Sequence, residues 1–372
     1  MRAIPDFLAT ASEPGIRALI AGGWMPDVGG EGAYEEIVFQ SMFEFNLALA
    51  AVLILILGAE FVNGWTDAPN AIATVVSTRS LSPGQAVVMA SILNLLGVLS
   101  GTAVAATIGT GIIDTDLVDL TTVGGAMIGI IVWSSLAARW GIPTSESHAL
   151  VAGLGGAGFA TAGLDALVWS GWSKVLLGLV FSTFLGFLGG LGVITFIYRV
   201  CRNAAPGRLR RPFRMLQILS SGFMAFGHGS NDGQKFMGAF TMALVLGGVL
   251  PSFVIPTWVI LLCAAMMALG TLTGGWRIMR TLGGRITKLE THQGFAAETA
   301  AASTIELAAA LGIPLSTTHT ISTAIMGVGV ARGVSAVRWG VTAELVTAWI
   351  LTFPVCAAIS WAVVKAMRSL MG

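Results

Sequence analysis

Charge is what this sequence has least of. Asp, Glu, Lys and Arg make up 10% of its 372 residues, against about 25% in a soluble domain. A chain so poor in charge cannot face water on all sides. Its net charge of +1 also gives no basic surface for a nucleic acid. Cysteine is scarce too. Cys201, Cys263 and Cys356 lie far apart, with neither CxxC nor metal-ligand spacing, so no disulfide framework is readable. There is no HExxH or GxSxG signature. The amino terminus lacks the basic start and apolar centre of a signal peptide.

Apolar sequence, by contrast, is abundant: 55% of residues are hydrophobic. Stretches near the roughly 20 residues needed for a helical span recur along most of the chain. They cover 43–64 continuing through 68–80, then 85–109, 121–139, 143–162 and 172–198. After a basic stretch come 215–230 continuing through 233–250, then 256–276, 292–311, 314–331 and 340–364. The runs are continuous rather than alternating, which excludes a transmembrane barrel. The expected fold is an all-α polytopic membrane protein embedded in a lipid bilayer. Residues 1–42 stand apart as an acidic extension containing Gly and Pro, with a short helix expected near 5–21. Met42 precedes the first apolar run, where the protein proper would resume after an over-long gene start.

The chain repeats itself. Gly64-Trp65-Thr66-Asp67-Ala68-Pro69-Asn70 corresponds to Gly229-Ser230-Asn231-Asp232-Gly233-Gln234-Lys235. Gly141-Ile142-Pro143-Thr144-Ser145-Glu146-Ser147-His148 corresponds to Gly312-Ile313-Pro314-Leu315-Ser316-Thr317-Thr318-His319. Both pairs are separated by nearly the same interval, so one duplication accounts for both. It divides the chain into repeat 1 (43–198), a basic linker (199–214) and repeat 2 (215–372). The arginines of 199–214 and the basic cluster at 277–288 belong in the cytoplasm by the positive-inside rule. The loop carrying Asp114, Asp116 and Asp119, and both termini, then fall outside. Each half crosses an odd number of times, so the expected plan is two inverted-topology repeats with broken helices and paired helical hairpins.

An ionisable residue in hydrocarbon costs at least ~2.5–3.5 kcal/mol, so each one needs a partner, a cavity or a function. Asp67 stands with Asn63, Thr66 and Asn70 at an expected interruption of the first span. Asp232 stands with His228, Asn231 and Lys235 at the equivalent place. Carboxylates and carbonyls at such breaks can coordinate a coupling cation; the alternative is an Asp that merely caps the following half-helix. In the other motif, Pro143 and Pro314 precede a new helix start. Thr144, Ser145, Ser147 and Ser316, Thr317, Thr318 place hydroxyls among its free N–H groups, a setting suited to an anion. For either hairpin alone the competing role is N-capping. Glu146, whose counterpart is Thr317, breaks the symmetry as a candidate proton or cation carrier. His148 and His319 read as packing residues, and Glu298 and Glu306 as hairpin supports. Lys235 either offsets Asp232 or meets an incoming anion.

At these motifs the sequence resembles the inorganic phosphate transporter (PiT) family. Asn63 to Thr74 looks like its first signature, His228 to Lys235 its second in the bacterial form, and the two Ile-Pro segments its hairpin motifs. The resemblance implies a secondary transporter of inorganic phosphate in the cytoplasmic membrane. Thr144, Ser145, Ser147, Ser316, Thr317, Thr318 and Gln234 become the candidate phosphate ligands. Asp67, Asn70, Asn231 and Asp232 become the cation site, with Glu146 as a further coupling candidate. The coupling cation is Na⁺ or H⁺; no organic cofactor is implied, and a homodimer is an open possibility. The sequence departs from the family pattern at Pro69 and Glu146. A sulfate permease of the same fold, an ion channel and an intramembrane hydrolase are the alternatives.

Overall fold

The computed structural model describes residues 31–371, with side chains from residue 47 onward except that of residue 206. The expected helix at 5–21 lies outside the described residues. The described residues are almost entirely helical. Their β pairing is one isolated bridge, Ile113 to Leu167. Helix α1 is Glu31–Ser77, with its apolar span at Leu47–Ser77. A bent pair follows, α2 (Pro83–Val98) and α3 (Ala103–Gly111), then α4 (Leu120–Trp140), α5 (Glu146–Ala162) and the long α6 (Trp169–Val200). The second half runs α7 (Pro206–His228), a π-helical turn (Gly229–Gly233) and α8 (Gln234–Leu246). After these come α9 (Thr257–Thr273), α10 (Trp276–Arg280), α11 (Thr291–Ala310), α12 (Thr317–Val330) and α13 (Trp339–Met371). Among the described residues five helices are long and apolar enough to cross a membrane, and up to seven spans result if each bent pair is counted as one. This is a multi-pass helical membrane protein. Leu177, Phe181, Phe184 and Leu188 form an exposed apolar stripe along α6, the lipid-facing side of a span.

Three expectations need correcting. The first span is not interrupted at Asp67: α1 continues as one helix through Pro69 to Ser77. Proline removes the N–H that would bond Trp65 O, but the polar side chains here already point inward, and no break is needed to bury them. Of the two copies only the second is interrupted, by a π turn at Gly229–Gly233. The stretch 85–109 is not straight either; α2 and α3 meet at 69°. Its counterpart bends by 60° at Gly274-Gly275. Both of those glycines have positive φ (87° and 46°), and a side chain at Gly275 would press on Trp65 O and the Pro69 ring. Finally, much of the basic linker is helical, because Pro206 occupies the first turn of α7 and its arginines are good helix formers.

The hairpins end as the sequence requires. Gly141 (φ 73°) and Gly312 (φ 64°) close α4 and α11 in the left-handed conformation. Each is followed by Ile-Pro, and Ser145 and Ser316 then cap α5 and α12. The halves embrace one another: α6 packs along α11 and α12, while α13 packs along α4 and α5. Small residues allow the approach. Gly186 and Gly190 of α6 sit against Thr320 O and Ala324 O, and Gly156 of α5 sits against Ala357 of α13.

Candidate functional site

The hairpin tips meet in the protein interior. Ser147 Oγ donates to Leu315 O at 2.6 Å, joining the first tip to the second. Behind them the His148 and His319 rings lie edge to face, 4.5 Å between centroids. His319 stacks on Trp349 and His148 on Phe353. Trp349 in turn donates to Pro143 O at 3.2 Å. The histidines thus form the packed floor of the tips, but they are not satisfied there: both ring nitrogens of His148 and Nε2 of His319 are buried without a hydrogen-bond partner.

Ser145 Oγ accepts the His148 N–H at 3.3 Å, and Ser316 Oγ accepts the His319 N–H at 3.1 Å. Both serines therefore cap their helices. Capping uses an oxygen lone pair and leaves each hydroxyl proton free to donate. The N–H groups of residues 146, 147, 317 and 318 precede the reach of intrahelical bonding. Two helix starts, their free N–H groups and the buried hydroxyls of Thr144, Ser145, Ser147, Ser316, Thr317 and Thr318 converge without an arginine among them.

One face of α1 borders this region. Glu60, Asn63, Asp67, Asn70 and Thr74 follow one another at spacings of three and four, so they form a single stripe. All are buried. Asn63 Nδ2 donates to Glu60 Oε2 at 3.2 Å. Asn70 Nδ2 donates to Thr318 Oγ1 at 2.9 Å. Thr318 Oγ1 in turn lies 3.4 Å from Asp67 Oδ1. Four oxygens of the stripe have no hydrogen-bond partner: Glu60 Oε1, Asn63 Oδ1, Asp67 Oδ2 and Asn70 Oδ1. Buried hard oxygens with no protein partner are the donor set a small cation would use.

The second copy differs. Asp232 Oδ2 accepts from Thr317 Oγ1 at 2.7 Å, and Oδ1 pairs with the Lys235 ammonium. Asn231 spends both ends of its amide on hairpin backbone, donating to Ile313 O at 3.2 Å and accepting from Leu315 N at 3.4 Å. Asn231 therefore braces the second tip. Of the four expected cation ligands, Asp67 and Asn70 have an open oxygen; Asn231 and Asp232 do not.

Two further candidates lie where the motifs did not suggest. Gln234 Oε1 accepts the Val104 N–H at 3.0 Å and so secures the start of α3. Glu146 has both oxygens occupied, by Thr66 Oγ1 at 2.9 Å and Ser134 Oγ at 2.7 Å. It ties α1 to the first hairpin. Glu298 likewise bridges Thr74 and Ser220, and Glu306 accepts from Ser230 at 2.7 Å, as hairpin supports should.

The motifs alone passed over Glu60 and Ser134, and gave His228 no role. His228 Nε2 lies 3.3 Å from Asp232 Oδ2 and 4.0 Å from Asp67 Oδ2, and its Nδ1 is 3.1 Å from Asn94 Oδ1. Asp67, His228 and Asp232 bring one ligand atom each within 4.8 Å of one another, close enough to share one ion. Glu60 was findable: it continues the three-four spacing of the stripe by one step. Ser134 and Asn94 carry no such signal, because isolated polar residues in a span are common.

Comparison with known proteins agrees with this architecture. The profile described as "Phosphate transporter family" matches residues 63–210 and 201–360. The chain is 46% identical over 314 residues to a probable low-affinity inorganic phosphate transporter of Rhizobium meliloti (strain 1021), covering 84% of this chain and 94% of the relative. A protein of the same description from Bacillus subtilis (strain 168) is 36% identical over 318 residues, with 84% and 96% covered. The fold is similar to a solved structure described as the sodium-dependent phosphate transporter, with TM-score 0.80 and 26% identity, over 87% of this chain and 99% of that one. The chain therefore belongs to the phosphate transporter family and is a transporter, not an enzyme.

Proposed function

We propose that this protein carries inorganic phosphate across the cytoplasmic membrane, coupled to a cation held on the polar face of α1. Phosphate lies between Thr144–Ser147 and Ser316–Thr318, held by helix N-terminal N–H groups and by the Thr144, Ser145 and Ser316 hydroxyls, whose protons are not spent within the protein as those of Ser147, Thr317 and Thr318 are. The cation uses Asp67 with Asn70, one turn further along the same helix face. The observation that carries this reading is the meeting of the two hairpin tips beside Asp67 and Asn70 of α1, each of which keeps an unpartnered oxygen. Neutral donors hold an oxyanion without the tight grip of an arginine cluster, which suits a site that must also release it. The Asp67 carboxylate and the anion share Thr318 as a neighbour, so a cation between them lowers the cost of bringing both charges into the interior.

The protein reconstituted in proteoliposomes is expected to accumulate labelled phosphate against its gradient when a Na⁺ or H⁺ gradient is imposed, each tested separately. Arsenate, a near-isostere that also carries a proton near neutral pH, is expected to compete. Sulfate lacks that proton and is not. Inhibition by sulfate but not arsenate would replace phosphate with sulfate as the cargo, and passive equilibration without accumulation would make the protein a channel.

The reciprocal packing of each half's last helix on the other half's hairpin supports inverted repeats. We infer that 199–214 and 277–288 face the cytoplasm. Single cysteines at positions 116 and 209, in a background with the three native cysteines replaced, should label from opposite sides of the membrane. Labelling of both from outside would rule out the inverted arrangement.

A further inference from the structure

We propose that Lys235 is a tethered cation that permanently fills the second of two equivalent cation half-sites, so the chain couples to one cation fewer than its duplicated architecture provides. This inference rests on the transport reading above and concerns its stoichiometry.

The two copies give the argument. Asn70 stands three residues after Asp67, and Lys235 stands three residues after Asp232. Ser147 and Thr318 each stand one residue before the histidine of their hairpin motif. The contacts follow the same exchange. Asn70 Nδ2 reaches Thr318 of the second hairpin, and Lys235 Nζ reaches Ser147 of the first. Equivalent residues therefore make equivalent contacts in opposite halves, and one position holds a neutral amide where the other holds an ammonium.

That difference decides which half-site is open. Lys235 Nζ is buried and donates to the Asp232 carboxylate, to Ser147 Oγ and to Leu315 O, the last at 2.8 Å. A carboxylate, a hydroxyl and a backbone carbonyl are three hard oxygens of the kind that would surround a small monovalent cation. An ammonium has three donors and saturates all three. The other oxygen of Asp232 takes Thr317 and lies 3.3 Å from His228 Nε2, so it faces the Asp67 side and not the place that Lys235 fills. In the first copy Asn70 brings no charge, and Asp67 Oδ2 and Asn70 Oδ1 keep unpartnered oxygens. A fixed charge and a mobile one satisfy the same electrostatic requirement, but only the mobile one is carried across. Lys235 thus neutralises Asp232 without any ion gradient being spent on it.

The test is to restore the symmetry. Lys235→Asn places the residue of the first copy in the second and uncovers Asp232. Purified protein in detergent is assayed for bound ²²Na⁺, and reconstituted protein for the Na⁺ dependence of phosphate uptake. The variant is expected to bind one more Na⁺ per chain than wild type, and its uptake should gain one order in Na⁺ concentration, whatever ion drives the wild type. Sodium binding equal to wild type in the folded variant overturns the proposal. Should Lys235→Asn prove polydisperse, Lys235→Ala exposes the same oxygens and is expected to refold or gain thermal stability on addition of Na⁺ but not of choline. Failure of Na⁺ to stabilise it also overturns the proposal. Wild-type phosphate accumulation, measured in the same vesicles, tests the transport reading separately. A wild type that carries no phosphate sinks that reading, while the difference in bound sodium still decides the role of Lys235.

Discussion

Asp67→Asn is expected to yield folded protein whose gradient-driven phosphate uptake falls roughly ten- to hundredfold. The substitution keeps size and shape, and the amide oxygen still accepts from Thr318, so α1 and the second hairpin keep their contact. What is lost is the charge on the one Asp67 oxygen with no partner in the protein. A hydrogen-bonded or ion-paired charged group contributes about 1.5–3 kcal/mol, and each 1.4 kcal/mol is about tenfold in binding. Asp232→Asn is expected to fail differently. Asp232 is the counter-ion of the buried Lys235, and breaking a buried pair by removing one partner costs about 3–5 kcal/mol. The variant should lose folded yield as well as uptake. The double variant Asp232→Asn/Lys235→Met removes both charges and should recover folded yield. Size-exclusion profiles and labelled-phosphate uptake, measured side by side, separate the two outcomes. Near-normal driven uptake by folded Asp67→Asn would remove the cation from α1.

The division between Asp67 and Asp232 could not be read from the sequence. The motifs placed both aspartates in the interior, and the spacing of Pro, Gly and Ser located both hairpin tips to within a few residues. Those features are local: a proline stops a helix, a glycine ends one, a serine caps one. The distribution of hydrogen bonds is not local. Glu146 stood out as a lone acid next to a candidate anion site, yet its two oxygens are spent on Thr66 and Ser134, one of them a residue no motif pointed to. Gln234 sits inside a signature and still turns to the start of α3. The unbroken α1 shows the same limit from the backbone side. A proline and a polar cluster suggested an interruption, but the cluster occupies one helical face and can be buried with the helix intact. In each case the missing information was which helix lies opposite, and that is set by packing between the halves.

Ser145→Asp and Ser316→Asp are expected to reduce phosphate uptake by about a hundredfold or more while leaving the hairpins stable. The two serines carry two possible functions, and this substitution separates them. Each caps its helix by accepting an N–H three residues on. Aspartate caps as well as serine and suits the positive end of the helix dipole, so the local fold should hold. Toward an anion the two residues are opposites: the serine hydroxyl has a proton to donate, and the carboxylate offers a like charge at contact distance in a low-dielectric interior, where repulsion is strongest. Alanine behaves in reverse. Ser145→Ala or Ser316→Ala removes the cap, at a cost of about 1 kcal/mol, together with one donor, and should weaken apparent phosphate affinity about tenfold without abolishing transport. Both changes together should cost more than either alone, because the two tips face one bound ion. Thermal stability of the purified variants and the concentration dependence of phosphate uptake decide the matter. If the aspartate variants transport like wild type and only the alanine variants fail, the hydroxyls are caps alone, and the anion must be sought elsewhere along the interface between the halves.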